Sequence, residues 1–542
     1  MRIGIDFDNT IANYDEVFCK VAINNKLIKK DWSGNKQALR KKIIKDNNEE
    51  VWKKLQGLVY GKYMHLAKLS EGFINFLFKS KLLGAKVYIV SHKTIHGHYD
   101  RNKVPLRQVA LKWIIKKKIP KFEKIYFEDS IDNKIRRINN LKLDYFIDDL
   151  ELILKNRKFS KDTNKILFSR QVKKKLSKNI KQFNKWSNIR KCIFGPEGLK
   201  EIKTYAEFIS KKKIFRVNKI KGQRNSQLYK IIYKDGLIGA LKNYPAEDLD
   251  RRKRLKREYE SLQLMKKNGF KDVSKVLYQN ENLNIIIFQW ISGIKPIKID
   301  NHELNKSINF IKKIKKISRK TVGNFYFDAV ESCKSLKDIT SQINYKMDDL
   351  LKSKNNSGKF KHFLRFMLKP TYMNLHKEAK NSKMYKLFIK PINKNYEILS
   401  PSDFGFHNAI KKSKKIIFID FEYFGKDDPV KLAADFLLHP GMKLKDDQKK
   451  KWLKAVLKVF KRDKYFEQRL KFLIPFYAIR WSLIVLNDFR KSDFNQENYN
   501  QENYKNFIIN KKLSFNKRIK QINKSLYFCN LVRSQGYQKW LN

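Results

Sequence analysis

Two pairs of aspartates follow short apolar runs in the first 150 residues. Asp6 and Asp8 come directly after the run that begins at Ile3, and Asp148 and Asp149 follow the apolar residues of "LDYFIDD". Such runs are typical of buried strands, and the carboxyl ends of parallel strands meet at one edge of a sheet. Four carboxylates that converge there repel each other unless a hard cation joins them. The pattern therefore predicts a magnesium site.

These residue types suit the hydrolysis of a phosphate ester. One aspartate can attack phosphorus while the other, two residues further on, protonates the leaving oxygen and later activates water. Thr10 and Ser91 are candidate hydrogen-bond donors to the phosphoryl oxygens. A lysine ahead of the second aspartate pair would balance the negative charge. Lys134 is the first candidate for this lysine, and Lys124 and Lys142 remain alternatives.

Four motifs follow one another in this part of the chain: "DFDNT", "VSHKT", a lysine such as Lys134, and "FIDD". In this order they resemble the four motifs of the haloacid dehalogenase superfamily of phosphatases, and the resemblance covers roughly residues 1–155. It implies an α/β fold with a Rossmann-like parallel sheet. It also implies that the helical residues from about 13 to 72 form a cap that closes over the substrate.

The same resemblance implies a role for the residues that match a motif. Asp6 would be the nucleophile and Asp8 the general acid and base; Thr10, Ser91 and Lys134 would bind the phosphate; and Asp6, Asp8, Asp148 and Asp149 would hold Mg²⁺. Three histidines, His92, His96 and His98, cluster behind Ser91. Their spacing fits no common metal-ligand pattern, so contact with the substrate is favoured over a metal site, and a plain solvated loop over both.

A second set of acids lies near residue 400, in "YEILSPSDFGFHNAI" and "KIIFIDFEYFGKDDP". Asp403 and Asn408 lie five residues apart on a predicted loop, and Asp420 ends a predicted strand. One carboxylate can orient a hydroxyl while Asn408 and Asp420 hold magnesium, which is the division of labour of a phosphoryl-transfer kinase.

The nucleotide half of such a kinase is predicted upstream. "LYKIIYKDGLIGALKNYP" alternates like a hairpin that turns at Asp235 and Gly236, and it places Lys242 on a strand. A helix that follows offers Glu258 as a partner for this lysine. Further on, "NIIIFQWISG" reads as a strand that enters a hinge, where an adenine would bond to backbone groups.

Over roughly residues 200–490 the sequence resembles the aminoglycoside and choline kinase-like phosphotransferases. The resemblance implies a bilobal, protein-kinase-like α+β domain that uses ATP. It implies that Lys242 and Glu258 serve the nucleotide, that Asp403 is the catalytic base, and that Asn408 and Asp420 bind the metal.

Two residues depart from the pattern of this family. The family usually has His-Gly before the catalytic aspartate, where this chain has Pro401 and Ser402, and it usually has an aspartate at the position of Lys431 in "PVKLAAD". Asp435, one helical turn further on, is a candidate replacement for that contact. A pseudokinase remains an alternative.

Composition and charge limit the possible classes of protein. At 542 residues and 42% hydrophobic residues, two or three well-buried domains are expected. The net charge of +68 comes from lysines spread over the whole length, which argues against a specific nucleic-acid partner. Four widely spaced cysteines, no leader-like start and no apolar window of membrane length favour a cytoplasmic protein without a membrane span.

The sequence thus predicts a phosphatase domain at 1–155, a basic linker at 156–199 and a kinase-like domain at 200–542. The expected function is a bifunctional enzyme with Mg²⁺ and ATP as cofactors. It would hydrolyse a phosphorylated small molecule and phosphorylate a sugar or amino-alcohol hydroxyl, for example in precursors of surface polysaccharides or sugar nucleotides. The alternative is a regulatory or scaffold protein with one degenerate domain that only binds a phosphorylated ligand.

Overall fold

The structure is a computed structural model of the 542-residue chain. It describes residues 1–32, 34, 36–98, 102–169, 176–177, 179–220, 226–353, 358–489 and 504–541, with 359, 488 and 504–516 described by their backbone alone. These residues form two compact units. The first consists of Met1–Lys253 and Val276–Trp290, and the second of Arg254–Lys275 and Ile291–Asn542.

The first unit is built from strands and helices that alternate along much of its length. Its strands are β1 (Arg2–Ile5), β2 (Ala12–Asn13), β3 (Lys68–Leu69), β4 (Lys86–His92), β5 (Lys124–Glu128), β6 (Tyr145–Asp148), β7 (Asn164–Phe168), β8 (Ile180–Phe183), β9 (Ile214–Ile220), β10 (Gln227–Tyr233), β11 (Ile238–Asn243), β12 (Val276–Asn280) and β13 (Ile285–Gln289). Its helices are α1 (Asp15–Asn24), α2 (Lys36–Asp46), α3 (Glu49–Tyr60), α4 (Phe73–Leu82), α5 (Leu106–Lys116), α6 (Ile131–Asn140), α7 (Glu151–Leu154), α8 (Trp186–Phe194) and α9 (Leu199–Ser210).

A parallel sheet with the strand order β5-β4-β1-β6-β7-β8 lies at the centre of the first part of this unit. β1 lies between β4 and β6, with Ile5 opposite Ile89 and Ile147. Alternate residues of one strand belong to two separate apolar clusters, Ile147 to one and Phe146 to the other, because the sheet is covered on both faces. The parallel sheet predicted from the sequence is confirmed.

The stretch 156–199, expected to be a linker, instead contributes to this sheet. β7 pairs with β6, β8 pairs with β7, and α8 follows them. Ile166 and Leu167 are buried at the centre of β7, and Trp186 is buried at the start of α8. The apolar residues are few and stand among lysines, so the sequence pattern concealed the last two strands of the sheet. The sheet therefore extends to Phe183 rather than ending near residue 155.

Three helices, α1 to α3, fill the segment predicted to be a cap. The segment leaves the sheet through β2 and returns through β3, and these two strands pair with each other. Its own core is aromatic: the rings of Phe18 and Trp52 stack with centroids 5.2 Å apart, and Tyr14 meets Tyr60 edge-on at 4.9 Å. The helical segment is thus a small folded layer inserted after the first strand.

An antiparallel sheet, in the order β12-β13-β11-β10-β9, forms the rest of the first unit. β10 and β11 are the predicted hairpin, with Gln227 opposite Asn243 and the turn at Asp235 and Gly236. α9 packs on this sheet, and Phe78 of α4 lies 5.5 Å from Phe208 of α9, measured between ring centroids. The antiparallel sheet therefore shares apolar contacts with a helix of the parallel-sheet half.

The second unit is mostly helical. Its helices are α10 (Arg254–Lys267), α11 (Asn301–Thr321), α12 (Leu336–Lys352), α13 (Gly358–Phe363), α14 (Lys369–Asn381), α15 (Lys383–Phe388), α16 (Pro429–Leu438), α17 (Asp446–Phe460), α18 (Phe466–Ile484), α19 (Tyr504–Arg533) and α20 (Gln538–Leu541), and a π-helical segment, Leu364–Leu368, joins α13 to α14. Two small antiparallel pairs complete it: β14 (Ile398–Ser400) with β17 (Gly425–Asp427), and β15 (Ala409–Lys412) with β16 (Lys415–Phe418).

α18 and α16 form the buried centre of this second unit. Every residue of α16 and most residues of α18 are buried, and the two arginines of α18 pair with carboxylates. Arg469 pairs with Asp428 and Asp463, and Arg480 pairs with Glu331. Among the helices that the structure describes, none is both long enough and apolar enough to cross a membrane.

Candidate active sites

Three neighbouring strands of the parallel sheet bring polar residues to the same edge. Asp6 follows β1, Ser91 lies near the end of β4, and Asp148 is the last residue of β6. The backbone N–H of Asp6 donates to the carbonyl of Ile147 over 2.8 Å, which fixes Asp6 beside the end of β6. The predicted convergence of these side chains follows from this strand order.

Lys134 lies between the two aspartates. Its Nζ donates to Oδ1 of Asp6 and to Oδ2 of Asp148, each over 2.6 Å, and its side chain is only 2% exposed. α6 presents this lysine, and Ser130 caps the start of the helix. Of the alternatives from the sequence, Lys124 lies at the opposite end of β5, and Lys142 lies in the turn after α6. The structure therefore favours Lys134 as the charge-balancing lysine.

Two buried hydroxyls at this edge have no hydrogen-bond partner within the described part of the chain. They are Oγ1 of Thr10 and Oγ of Ser91, and both residues are at most 1% exposed. Thr10 follows Asn9, whose φ of 60° turns the chain sharply after Asp8. Buried polar groups without partners cost free energy, roughly 1–3 kcal/mol each. A bound phosphoryl group would supply the missing acceptors.

Asp8 is held by two residues that the sequence analysis did not assign. Nζ of Lys93 donates to both carboxylate oxygens, over 3.0 and 2.8 Å, and the hydroxyl of Tyr14 donates to Oδ1 over 2.7 Å. Lys93 is buried, and it lies two residues after Ser91 in an extended segment, which places both on one side of that segment. That spacing within "VSHKT" is the signal that could have identified Lys93.

Carboxylate oxygens of Asp6, Asp148 and Asp149 lie within 4.8 Å of one another, a set that suits a hard divalent cation. Asp8, which the sequence included among the metal ligands, is outside this group because Lys93 and Tyr14 hold it. Burial raises the pKa of Asp6 to about 6, since the neighbouring carboxylates add to the effect of burial and Lys134 offsets only part of it. Burial and the charge of Asp148 likewise raise the pKa of Asp149 well above its usual value.

The helical segment contributes a further cation, Lys36. Its Nζ donates to the hydroxyl of Tyr60 over 3.1 Å and lies 4.8 Å from the centre of the Phe18 ring. Burial lowers the pKa of Lys36, but the charges of Tyr60, Asp149 and Asp8 outweigh it and raise the pKa. The segment therefore places a positive charge within the electrostatic reach of the aspartates.

The three histidines behind Ser91 are exposed: His92 ends β4, and His96 and His98 lie on the loop that follows. A ring nitrogen of His92 is 3.0 Å from the carbonyl of Asp129, and one of His96 is 3.4 Å from that of Val104. Within the described residues no group of candidate metal ligands includes them. This arrangement matches the solvated loop that the sequence analysis preferred.

Asp403, in the second unit, lies on the loop that follows β14. Nδ2 of Asn408 donates to the carbonyl and to Oδ2 of Asp403, over 3.0 and 3.1 Å, and Nε2 of His407 is 3.0 Å from Oδ1. His439 stacks on His407 with ring centroids 3.7 Å apart. Burial alone would raise the pKa of Asp403, but His407, His439 and Asn408 hold it well below its usual range.

His407 and His439 were not assigned from the sequence. His407 directly precedes Asn408, so it could have been suspected from "FGFHNAI", whereas His439 ends α16, far along the chain. Burial and the neighbouring His407 lower the pKa of His439 to about 4, so this ring is neutral near pH 7. A neutral ring beside Asp403 leaves the carboxylate free to accept from an approaching hydroxyl.

The two departures from the kinase-like pattern meet in the structure. Nζ of Lys431 donates to Oγ of Ser402 over 3.2 Å, and it lies 2.9 Å from Oδ2 of Asp435 and 3.5 Å from Oδ2 of Asp427. The sequence analysis offered Asp435 as a replacement for a contact to the loop that carries Asp403, but among the described residues its ion pairs are with Lys431 and Arg480. It also accepts from Nε1 of Trp481 and holds Lys431 in position.

Asp420 belongs to a second group of carboxylates, with Glu258 and Glu422, whose oxygens lie within 4.8 Å of one another. Glu258 is buried and accepts from the backbone N–H of Phe421 over 3.2 Å, and Arg254 pairs with Glu422. This oxygen-rich set fits a divalent cation. The described hydrogen bonds of the Asn408 amide N–H groups go to Asp403, so the metal-ligand role predicted for Asn408 would fall to its side-chain oxygen.

Lys242 lies on β11 of the first unit, whereas Glu258 lies on α10 of the second. The Lys242 side chain is largely buried, with Nζ 4.9 Å from the centre of the Tyr244 ring. Its neighbour Asn243 donates from Nδ2 to Oε2 of Glu197 over 2.7 Å. The role of Lys242 and Glu258 at a nucleotide stays a prediction.

No protein-family model matches the chain, and no curated protein matches it. Among solved structures, the chain is similar to a spectinomycin phosphotransferase in complex with ADP and spectinomycin, with 12% identity and a TM-score of 0.41, over 61% of this chain and 99% of that one. It is also similar to a choline kinase from Cryptosporidium parvum, with 12% identity and a TM-score of 0.38, over 60% of this chain and 93% of that one. An amicoumacin kinase in complex with AMP-PNP and Ca²⁺ gives 12% identity and a TM-score of 0.41, over 64% of this chain and 96% of that one. Scores of this size carry no argument about function, which is inferred from the geometry of the two sites.

Proposed function

We propose that the chain is a bifunctional phosphate-handling enzyme. Its parallel-sheet half would hydrolyse a phosphomonoester, and its second unit would carry the catalytic loop of an ATP-dependent kinase for a small-molecule hydroxyl. The observation that carries the proposal is the position of Lys134, which pairs with both Asp6 and Asp148 beside the two partnerless hydroxyls of Thr10 and Ser91. A buried site that combines a lysine, two carboxylates and two hydroxyl donors is chemically complementary to a phosphate group.

Each residue of the first site has a chemical task. The Asp6 oxygen that Lys134 does not bind attacks phosphorus, and the hydroxyls of Thr10 and Ser91 donate to the phosphoryl oxygens. Asp8, oriented by Lys93 and Tyr14, protonates the leaving oxygen and then takes a proton from the attacking water. Magnesium bound by Asp6, Asp148 and Asp149 would neutralise charge on the phosphate.

In the second unit Asp403 would orient the acceptor hydroxyl and accept its proton. Asn408 and His407 fix both oxygens of this carboxylate, and the low pKa of Asp403 keeps it ionised. Magnesium and ATP bound there would supply charge neutralisation and the phosphoryl group. The carboxylates of Glu258, Asp420 and Glu422 are the residues that suit such a cation.

The two activities must act at different positions of one metabolite, or on successive intermediates. A kinase and a phosphatase that shared one hydroxyl would only hydrolyse ATP. A sugar or amino alcohol that gains one phosphate and loses another satisfies this condition, and precursors of surface polysaccharides or sugar nucleotides are compounds of this kind.

A pair of variants tests the proposal in the full-length protein. Asp6→Asn is expected to abolish Mg²⁺-dependent hydrolysis of an aryl phosphate and to leave ATP-dependent transfer intact, whereas Asp403→Asn is expected to do the reverse. Asp162→Asn is the matched control, because Asp162 is exposed and precedes the start of β7, at the opposite end of the strands from Asp148. Hydrolysis and transfer are measured on a panel of phosphorylated and free sugars, with EDTA as a second control.

The outcomes separate the proposal from its alternative. Loss of both activities in either single variant would refute independent sites. Binding of phosphorylated ligands without turnover by the unaltered protein would favour a regulatory or scaffold protein with a degenerate domain. ATP binding without transfer to any acceptor would favour a pseudokinase.

A further inference from the structure

A cavity of about 390 Å³ in the second unit borders the catalytic loop. Two of its lining residues, His439 and Met442, also touch that loop. Nε2 of His439 lies 3.9 Å from Oδ1 of Asp403, and Sδ of Met442 accepts from the backbone N–H of Phe406 over 3.1 Å. The His439 ring therefore lies between the cavity and the carboxylate that would orient the acceptor hydroxyl, and the volume of the cavity suits a small molecule.

The walls of this cavity combine rings and cations. Among the described residues that line it, none is an aspartate or glutamate, and six are aromatic residues or lysines: Tyr527, Phe528, Trp540, Lys443, Lys449 and Lys524. Ring faces give apolar area for the carbon skeleton of a ligand, and ammonium groups give donors for an anion. The described wall therefore offers no carboxylate that could form an ion pair with a cationic ligand.

The positive charge of the cavity is only partly neutralised. Nζ of Lys449 lies 3.7 Å from Oδ1 of Asp446 and 4.0 Å from the centre of the Trp540 ring. Asp446 in turn also pairs with Lys539. In the part of the chain that the structure describes, no carboxylate lies within ion-pair distance of Lys443 or Lys524. Nearby uncompensated cations raise the local concentration of anions and oppose the entry of cations.

We propose that this cavity binds the acceptor of the kinase, and that the acceptor carries a phosphate or carboxylate in addition to the hydroxyl that receives the phosphoryl group. The inference rests on the proposed kinase function and narrows its substrate class. An anionic acceptor would distinguish this chain from kinases whose acceptors are cationic amino alcohols or aminoglycosides. It also links the two halves of the protein, because a phosphorylated acceptor belongs to the ligand class that the first site would bind.

In the transfer step one bond to phosphorus forms and one breaks. The acceptor oxygen forms a bond to the γ-phosphorus of ATP, and the bond from that phosphorus to the bridging oxygen of ADP breaks. ADP leaves with the electron pair of the broken bond. The hydroxyl proton passes to Asp403 and from there to solvent. The anionic group of the acceptor takes no part in bond making, and its task is to hold the molecule at the lysines.

The test uses the full-length Asp6→Asn variant, in which the probes are not expected to be hydrolysed. The probes are glucose, glucose 6-phosphate, glucuronate and glucosamine, which share a ring and differ in charge, together with choline. Transfer from ATP labelled in the γ-phosphate gives kcat/KM for each probe, and titration calorimetry gives its affinity. We expect the phosphate or the carboxylate probe to exceed glucose by at least about tenfold in kcat/KM, and glucosamine and choline to be the poorest.

Lys524→Glu and Lys443→Glu are expected to remove this preference and to weaken binding of the anionic probes by about tenfold or more. Lys450→Glu is the matched control, because Lys450 is an exposed lysine of α17 that does not line the cavity. Unchanged thermal unfolding of the three variants shows that each is folded. The phosphate and carboxylate probes distinguish the two sources of negative charge.

A preference for glucosamine or choline would overturn the inference, and so would a preference for anions that both cavity variants retain. Failure of the kinase proposal has a different signature: no probe receives phosphate from ATP. Titration calorimetry then tests whether the cavity binds anions, independently of phosphoryl transfer. Binding of glucose 6-phosphate or glucuronate that Lys524→Glu abolishes would support an anion site, and no binding at millimolar concentrations would refute it.

Discussion

The ammonium group of Lys431 donates a hydrogen bond to the hydroxyl of Ser402, the residue directly before Asp403. Ser402 adopts a φ of 63°, a conformation that few residues other than glycine adopt readily, so this contact holds a strained point of the loop. Lys431 is itself fixed by Asp435 and Asp427 inside the second unit. A buried ion network thus supports the loop that carries the predicted catalytic carboxylate.

Ser402→Ala is expected to lower kcat for ATP-dependent transfer by about tenfold, because a hydrogen bond to a charged group contributes about 1.5–3 kcal/mol. Hydrolysis of an aryl phosphate should not change. Ser413→Ala is the control, since Ser413 also has a positive φ but lies in an exposed turn. Steady-state kinetics check the expectation, and equal kcat values for the two variants would contradict it.

Lys431→Met should act mainly on stability. It leaves Asp435 and Asp427 buried without their shared cation, and breaking a buried ion pair from one side costs about 3–5 kcal/mol. The free energy of unfolding, measured in urea, should fall by that amount, well beyond the effect of Ser402→Ala. If Lys431→Met and Ser402→Ala destabilise equally, the ion network does not hold Lys431 as described.

The loss of hydrolysis rate caused by Asp8→Asn should depend on the leaving group of the substrate. Proton donation to the leaving oxygen contributes roughly 10²–10⁴-fold to the rate, so hydrolysis of an alkyl monoester should fall by that factor. Hydrolysis of p-nitrophenyl phosphate should fall less, because nitrophenolate departs without a proton. The rates of both substrates are compared with those of Asp162→Asn. An equal loss for both substrates would mean that Asp8 is not the proton donor.

The sequence was informative where chemistry sits at the end of a strand. Asp6, Ser91 and Asp148 could be placed together because each follows or ends a short apolar run, and parallel strands bring such ends to one edge. The pattern put Lys134 first but left Lys124 and Lys142 open as alternatives. The choice among them depends on which face of α6 packs against the sheet, and only the fold determines that face.

Contacts between distant segments were beyond sequence reasoning for a physical reason. Lys134 reaches Asp6 across 128 residues of sequence, and His439 reaches Asp403 from the end of another helix. Such pairs leave no periodic signal along the chain. β7 and β8 were missed for the opposite reason: their signal is local, but many lysines dilute the apolar alternation.

Glu197 links α4 to β11 of the antiparallel sheet, and the stability of the protein should be sensitive to its substitution. It accepts from Lys79 of α4 over 2.6 Å and from Asn243 of β11 over 2.7 Å, and Arg190 lies 3.3 Å away. Glu197→Gln leaves two largely buried cations without a counter-charge, so the free energy of unfolding should fall by about 3–5 kcal/mol. Chemical unfolding, followed by the buried Trp186, measures the change.

The control for Glu197→Gln is an exposed pair of the same type. Glu50 and Lys54 are 2.8 Å apart, but their side chains are 44% and 52% exposed, so Glu50→Gln should cost at most about 0.5 kcal/mol. Equal effects of the two substitutions would show that the Glu197 cluster does not stabilise the contact between α4 and β11.

Glu331 should make the second unit sensitive to acid. Burial would raise its pKa, but Arg480 and Lys346 lower it to about 2, against a value of 4.5 for the free side chain. The unfolded chain therefore binds the proton first, so the contribution of Glu331 to stability is present above about pH 4.5 and is lost as the pH falls toward 2. Urea unfolding at several pH values should show a shallower pH dependence for Glu331→Gln than for the unaltered protein. Glu467→Gln, from an exposed pair with Lys471, should leave the slope unchanged, and a slope unaffected by Glu331→Gln would contradict the assignment.

The net charge of +68 raises the question whether the protein acts on small molecules or binds nucleic acid, and this question can be tested. Several lysines are buried and form ion pairs: Lys93, Lys134 and Lys431 each contact a carboxylate. Most others are exposed and distributed over the whole chain. Exposed charges act through solvent over a Debye length of about 8–10 Å, whereas buried pairs are screened much less.

Duplex DNA and RNA should accordingly bind weakly, without sequence preference, and the binding should collapse between roughly 50 and 200 mM salt, because released counterions dominate it. Hydrolysis and phosphoryl transfer should survive the same change far better, since their charged groups act at contact distance. Fluorescence anisotropy of labelled duplexes and the two activity assays, run over one salt series, make the comparison. Tight binding that persists at about 150 mM salt, or stimulation of either activity by nucleic acid, would overturn the small-molecule assignment and make a polynucleotide end the leading substrate.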